Sequence, residues 1–282
     1  MSRKQKTEQN GAQAPSKQEM QEALLRSGYL MEGRLVKILD GLDFFVEPSS
    51  SYLDEKTGIS REVDLVAEHS KSYIRREKAC VKTVFVIEAV NNLFPIALLT
   101  EQTWNPNANS DDYIPYIYTP SVNQTDHPFA SEIYLWEQKS VLKWQLFCQY
   151  CAFSRKKNGG ELFASHSDDL YSSINKGVEY SLTLRSHSDS WMKKSRNDSY
   201  WRIFQWRPII VVRDDLYIYE NNKLLSVDCC KLVYNLHFKS TPMSVVVDFV
   251  TESGLTDLVK KIVAEDDALE EKLYQLRLKK KT

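Results

Sequence analysis

Ser-Arg-Glu-Val-Asp-Leu-Val-Ala at residues 60–67 and, after a polar connector, Val-Lys-Thr-Val-Phe-Val-Ile-Glu-Ala-Val-Asn-Asn at 81–92 decide how the chain is read. Both stretches read as strands. In the first, Arg61, Val63, Leu65 and Ala67 alternate against Glu62, Asp64 and Val66, the period of two that sends successive side chains to opposite faces. In the second, Val84 to Ile87 is an unbroken apolar run, the mark of a strand covered on both sides at a sheet centre. Asp64 and Glu88 thus sit in or at the ends of otherwise apolar strands. A lone ionised carboxylate in such a place costs several kcal/mol unless a cation or hydrogen-bond donors compensate. A pair of them suits a hard divalent ion: Mg²⁺ takes one or two carboxylates together with waters and phosphate oxygens. Such an ion can activate water and stabilise an in-line displacement at phosphorus.

Upstream, residues 30–39 read as a helix with Glu32, Leu35, Val36 and Leu39 on one face, which turns Glu32 inward. Its plain alternative is a boundary carboxylate answering Arg34 or Arg61. Residues 44–46 form a short strand that Pro48 and the serines at 49–51 end. Asp54-Glu55-Lys56-Thr57-Gly58 is turn chemistry, so this strand and the Asp64 strand make an antiparallel hairpin.

A helical Glu32, a Tyr-containing hairpin ending in Arg61-Glu62-Val63-Asp64, and a buried strand ending in Glu88-Ala89-Val90-Asn91-Asn92 resemble the PD-(D/E)XK, or restriction-endonuclease-like, nuclease superfamily, in a form similar to Mrr-type endonucleases. The likeness covers residues 30–92, and the remainder by general architecture. It implies a mixed α/β (α+β) fold with a restriction-endonuclease-like core sheet flanked by helices. It implies Asp64 and Glu88 as catalytic metal ligands, Glu32 as an accessory catalytic carboxylate, Mg²⁺ or Mn²⁺ as cofactor, and nucleic acid, DNA first, as partner, with a homodimer left open. There is one departure. The family pattern places a lysine two residues after the second acid, on the same face of the strand, and here that residue is Val90. Lys82 shares the face, but six residues along a strand is roughly 20 Å, too far to substitute. Either a lysine or glutamine from another element completes the site, or the centre is degenerate and the chain is a non-catalytic module that binds nucleic acid or a partner protein.

The formal net charge of −1 excludes a global basic field, so any phosphate-binding surface must be local. Two segments offer one: Arg155, Lys156 and Lys157, and a polar stretch at 188–197 with Trp191, Lys193, Lys194 and Arg196. They read either as solvated faces or as nucleic-acid contacts in which cations meet phosphates and the indole stacks.

Along the chain, residues 1–15 are a disordered leader, 16–200 the nuclease-like core with its helices, and 201–282 a strand-rich extension with a terminal helix, packed on the core. Ser16-Lys17-Gln18-Glu19 has capping-box spacing, and the helix it opens ends near Gly28. Residues 103–128 lack periodicity and carry Trp104, Tyr113, Tyr116 and Tyr118, which either stack on bases or cover the sheet. Residues 137–157 read as a helix, with Lys143, Gln145 and Gln149 as candidates to complete the site. Another helix starts at Asp168, capped by Ser167, and runs through Leu170, Ile174, Val178 and Leu182. Strands at 209–212 and 216–219 form a β-meander, 245–250 is a buried strand, and 255–278 is the closing helix. Asp248, in that last strand, is a buried acid that needs the backbone or a neighbouring lysine.

Five cysteines give no even disulfide framework, and no apolar leader precedes them, which predicts a reducing, intracellular (cytoplasmic) and soluble protein. Cys148 and Cys151 read as buried thiols, with zinc the alternative. No phosphate-loop, dinucleotide-binding, nucleophile-elbow or zinc-protease motif is present. No run approaches the ~18 apolar residues of a membrane-spanning helix.

Overall fold

The Val84–Ile87 run lies where its composition requires, inside a mixed sheet that has twelve strands among the described residues. The computed structural model describes residues 14–54, 57–69, 79–92, 94–101, 117–120, 145–156, 160–194, 201–213 and 215–281. The strands are β1 (Phe44–Asp54), β2 (Ile59–His69), β3 (Ala79–Val90), β4 (Ile96–Glu101), β5 (Ile117–Pro120), β6 (Leu146–Arg155), β7 (Leu162–Ser165), β8 (Trp201–Val212), β9 (Leu216–Glu220), β10 (Lys223–Ser226), β11 (Cys229–Phe238) and β12 (Thr241–Thr251). The helices are α1 (Lys17–Arg26), α2 (Tyr29–Asp40), α3 (Asp168–Lys194) and α4 (Leu255–Lys281). The order across the sheet is β1-β2-β3-β8-β12-β11-β6-β4-β9-β10, with β5 on β8 and β7 on β6. The mixed α/β class, the flanking helices and the terminal helix are therefore as read from the sequence.

Two cores lie on the two faces. On one, Val63, Val66, Val84, Val86, Ile210 and Phe249 pack under Leu170, Ile174, Val178 and Leu182 of α3. On the other, Leu65, Ala67, Phe85, Ile87, Ile209 and Val211 meet Met31, Leu35 and Leu39 of α2 and Leu255, Leu258, Val259 and Ile262 of α4. Each Val, Leu, Ile, Phe or Met among them contributes about 1.5–3 kcal/mol on burial, enough to hold a helix layer on either side. Ser16 caps α1 in a reciprocal box with Glu19, and the Leu170 N–H donates to Ser167 Oγ at the start of α3.

Several expectations are corrected. β1 does not stop at Pro48 but continues to Asp54. It is the first strand in the sheet order, and an edge tolerates a residue with no N–H to donate. Strict alternation fails in β2: Val63 and Val66 pack in one core while Leu65 and Ala67 pack in the other. The switch lies opposite Ser49, which has a φ of 56°. The buried face of α2 is Met31, Leu35 and Leu39, so Glu32 stands one residue round from it, only partly buried.

The helix expected over 137–157 is, from Leu146 to Arg155, the strand β6. It pairs with β4 along its length and with β11 at Leu146 and Phe147. Phe147, Tyr150, Cys151 and Phe153 suit a pleated surface better than the helical spacing of Gln145, Cys148 and Ala152 suits a helix. In the C-terminal part, β9 and β10 form a hairpin turned by Asn221 and Asn222, both at positive φ. β8, however, does not join that hairpin. It runs parallel to β3 from Ala79↔Trp201 to Val90↔Val212 and has β12 on its other side. The strands after residue 200 thus complete the centre of the same sheet as β3. α3 extends to Lys194, so Trp191, Lys193 and Lys194 belong to its last turns rather than to a loop. Lys143, Lys157, Arg196, Trp104, Tyr113 and Tyr116 lie outside the described residues. Among the described residues no helix is long and apolar enough to cross a membrane.

Candidate functional site

The β2–β3 ladder runs from Glu68↔Val84 to Leu65↔Ile87. Asp64 and Glu88 are the next residue on each strand, just past its end. There the strands part, and side chains take over from the backbone pairing: the Ala89 N–H donates to Asp64 Oδ2 at 2.8 Å. This bond orients Asp64 and leaves Oδ1 pointing at the gap between the acids. Glu88 follows Val84 and Val86 by the period of two, onto the face covered by α3. It is 1% exposed.

The partner of both acids comes from α3. Lys176 Nζ lies 2.7 Å from Glu88 Oε2 and 3.5 Å from Asp64 Oδ1. Gly177 makes the approach close: a Cβ there would stand 3.6 Å from Glu88 Cγ and 3.9 Å from Pro208 Cβ, so helix and strand nearly touch. Tyr180, one turn beyond Lys176, packs against Tyr52 of β1 with ring centroids 4.9 Å apart, which seats the helix over the hairpin. Glu88 Oε1 has no hydrogen-bond partner among the described residues.

The electrostatics follow from this burial. Burial, then the charge of Asp64, pushes the Glu88 carboxyl up to about 8, and Lys176 and the Asp64 backbone N–H offset only part of that. Burial alone would drive Lys176 towards the neutral amine. Glu88, and after it Asp64, outweigh that effect and hold its pKa above the usual lysine range. Lys176 is therefore an ammonium.

Glu32 stands at the start of α2, with Oε1 beside Gly28: a Cβ on Gly28 would lie 3.3 Å from that oxygen and 3.9 Å from the Ala89 carbonyl. Asn91 Nδ2 donates to the Ser27 carbonyl at 3.2 Å, tying the end of β3 to the α1–α2 junction. The Glu32 carboxyl is raised first by burial and then by Asp64 and Glu62, with Lys176 opposing. From the start of α2 it thus feels the charges of Asp64 and Lys176.

The chemistry of the Asp64 and Glu88 donors fits Mg²⁺ or Mn²⁺. Both are hard carboxylates, and Glu88 keeps one buried oxygen without a partner. Two protein carboxylates, with water and substrate oxygens completing the shell, is the complement Mg²⁺ accepts.

Lys176 was not singled out in the sequence, yet it carries a signal there. It lies with Gly177 in the middle of the apolar series Leu170, Ile174, Val178 and Leu182. A glycine inside a helix costs about 1 kcal/mol relative to alanine and calls for a packing reason. Here the reason is Glu88. The other completion candidates lie elsewhere: Gln149 accepts from Thr100 Oγ1 at 2.6 Å, and Lys82 pairs with Glu68 at 2.6 Å.

Nor are the basic candidates beside the acids. Lys156 is exposed at the end of β6, four strands from β3 in the sheet order. Trp191, Lys193 and Lys194 follow Lys176 by roughly 22 Å or more of helix, at ~1.5 Å per residue. Elsewhere, Asp248 has the neighbouring lysine its burial required: Lys231 pairs with it across β11 and β12, both side chains 2% exposed. Cys148 and Cys151 are free thiols, the first donating to the Thr100 carbonyl. Set against protein-family models, curated proteins and solved structures, the chain matches none of them.

Proposed function

We propose that the chain is a metal-dependent endonuclease that hydrolyses phosphodiester bonds, with DNA as the substrate, acting inside the cell and related to the PD-(D/E)XK nucleases its motifs resemble. The observation that carries this reading is the arrival of Lys176 from α3 at the Asp64–Glu88 pair, in the role Val90 cannot fill. Asp64 Oδ1 and the Glu88 carboxylate would hold Mg²⁺ or Mn²⁺, with Glu32 orienting a water or a second ion from the edge. When bound, the metal supplies Lewis-acid stabilisation of phosphoryl oxygens and lowers the pKa of water. The chain's own groups do the rest. The Ala89 N–H keeps Asp64 in its orientation, and α3 excludes water from the Glu88 side. The Lys176 ammonium offers its protons to the phosphate oxygens as charge develops on them. One such donor is worth on the order of 10² in rate. Lys156, Lys157, Trp191, Lys193, Lys194 and Arg196 are retained as contacts to flanking nucleic acid.

The same ion pair favours a second reading. Lys176 could stand permanently in place of a metal, leaving a nuclease-like scaffold that binds nucleic acid or a partner protein without cutting. Incubation of supercoiled and linear DNA with Mg²⁺ or Mn²⁺ separates the two. The nuclease reading expects metal-dependent nicking by the wild type, lost in Asp64→Ala and Glu88→Gln. A wild type that retains DNA but never nicks it, with either metal, favours the second.

A further inference from the structure

Lys176 does more than stand near the acids. Its Nζ lies 2.7 Å from Glu88 Oε2 and 3.5 Å from Asp64 Oδ1, and so takes up carboxylate lone pairs that a divalent ion held by these two residues would use. We propose that the Lys176 ammonium and a divalent ion, which Asp64 and Glu88 would hold, are alternative occupants of this acid pair. Lys176 is the counterion of the metal-free site, and the arrival of metal swings it out to the mouth, where the phosphate binds. The inference rests on the nuclease reading and deepens it, by making Lys176 a built-in gate on metal occupancy.

Three observations carry it. Glu88 is 1% exposed, so a metal-free protein needs a cation there, and the chain provides one. The lysine is able to leave: 23% of its side chain is exposed, and its stem is flexible, unlike a residue locked on all sides. The exchange is also favourable in sign. A divalent ion brings twice the charge to about 2.1 Å from a carboxylate oxygen, against one charge at 2.7 Å, and Coulomb attraction grows with charge and with closeness. Glu88 Oε1, buried and without a partner among the described residues, is an oxygen the lysine leaves unused and an ion can take up. Displaced, the same ammonium sits one flexible stem away from any phosphate bound at the acids, so the gate and the phosphate donor are one residue.

The test uses the full chain with Mn²⁺ alone and no substrate. Mn²⁺ binding is followed by electron paramagnetic resonance, and the reactivity of Lys176 by amine acetylation read by mass spectrometry, normalised to the other lysines. Saturating Mn²⁺ is expected to raise acetylation of Lys176 by about tenfold, equivalent to release of about 1.4 kcal/mol of pairing. Lys176→Met is expected to bind Mn²⁺ about tenfold more tightly than the wild type. Mn²⁺ that binds the wild type and leaves Lys176 labelling unchanged or lower overturns the gate and spares the nuclease reading. Mn²⁺ that binds only Lys176→Met also overturns it, because the lysine then never leaves. No Mn²⁺ binding by wild type, Lys176→Met or a Lys176→Gln control defeats the metal reading itself, and the gate with it.

Discussion

Lys176 reaches Glu88 across the interface of α3 and β3 at 2.7 Å, and the glycine beside it, Gly177, is what lets the helix come so near. One contact thereby links the packing of the molecule to its chemistry. A helix laid across the sheet for its apolar face delivers the only cation seen on the acid pair among the described residues.

Glu88 is a burden on stability. Burial, and after it the charge of Asp64, pushes its carboxyl up to about 8, and Lys176 offsets only part of that cost. Glu88→Gln is therefore expected to unfold within about 1 kcal/mol of the wild type, or later, in chelator at pH 7. The rise in melting temperature that Mn²⁺ gives the wild type should vanish in the variant. Thermal unfolding with and without Mn²⁺ reads both effects.

At Gly177 a methyl group fits. A Cβ meets Glu88 Cγ at 3.6 Å, an ordinary van der Waals contact. Gly177→Ala should raise the stability by up to about 1 kcal/mol through helix propensity alone. Gly177→Leu should push α3 off β3 and cost about 1–3 kcal/mol from overpacking. Urea unfolding midpoints of the two variants will move in opposite directions.

Lys231 and Asp248 illustrate a purely structural ion pair. Both are buried between strands, far from solvent. Lys231→Met alone leaves Asp248 uncompensated and is expected to cost about 3–5 kcal/mol, whereas Lys231→Met with Asp248→Val should recover most of the loss. Chemical denaturation of the single and double variants measures the difference.

Asp266, on α4, gives the chain a pH-dependent weakness. Burial raises its carboxyl from 3.8 to about 6, and Arg207 offsets this only in part. The folded state thus binds a proton more tightly than the unfolded state does. The stabilisation is complete below pH 3.8 and is lost as pH rises through 6. At 1.36 kcal/mol per unit the loss is about 3 kcal/mol. Asp266→Asn should match the wild type near pH 4 and exceed its stability by up to that amount at pH 7, as urea midpoints at the two values would report.

How much of this could be read from the sequence follows from range. The capping box of Ser16 and Glu19, the hairpin leading to Asp64, the buried run before Glu88 and the apolar stripe of α3 are local patterns, and each element forms, although β1 runs past Pro48 to Asp54 and α3 continues to Lys194. A buried Asp248 calls for the backbone or a neighbouring lysine, and of the two Lys231 is the partner seen. What local patterns could not supply was pairing between distant segments. The parallel docking of β8 on β3 puts a C-terminal strand beside the central one, although a hairpin partner was nearer in the chain. β6 reads as a helix in sequence because Gln145, Cys148 and Ala152 mimic a helical face, while its aromatic and cysteine residues belong to a sheet. Lys176 escaped for the same reason of distance: nothing near it in sequence names Glu88 as its partner. Only the glycine at 177, costly in a helix, hinted that something approached.

In the proposed nuclease, Lys176 does the work that Val90 cannot. Val90 packs against the same core as α3, on the face Glu88 occupies, so a lysine placed there can reach the same region. The decisive measurement is the rate of Mg²⁺-dependent nicking of supercoiled DNA by the wild type, Lys176→Met, and Lys176→Met combined with Val90→Lys. Nicking by the wild type, a loss on the order of 10² in Lys176→Met, and partial recovery in the double variant are expected. Nicking by Lys176→Met at the wild-type rate would contradict this role of Lys176.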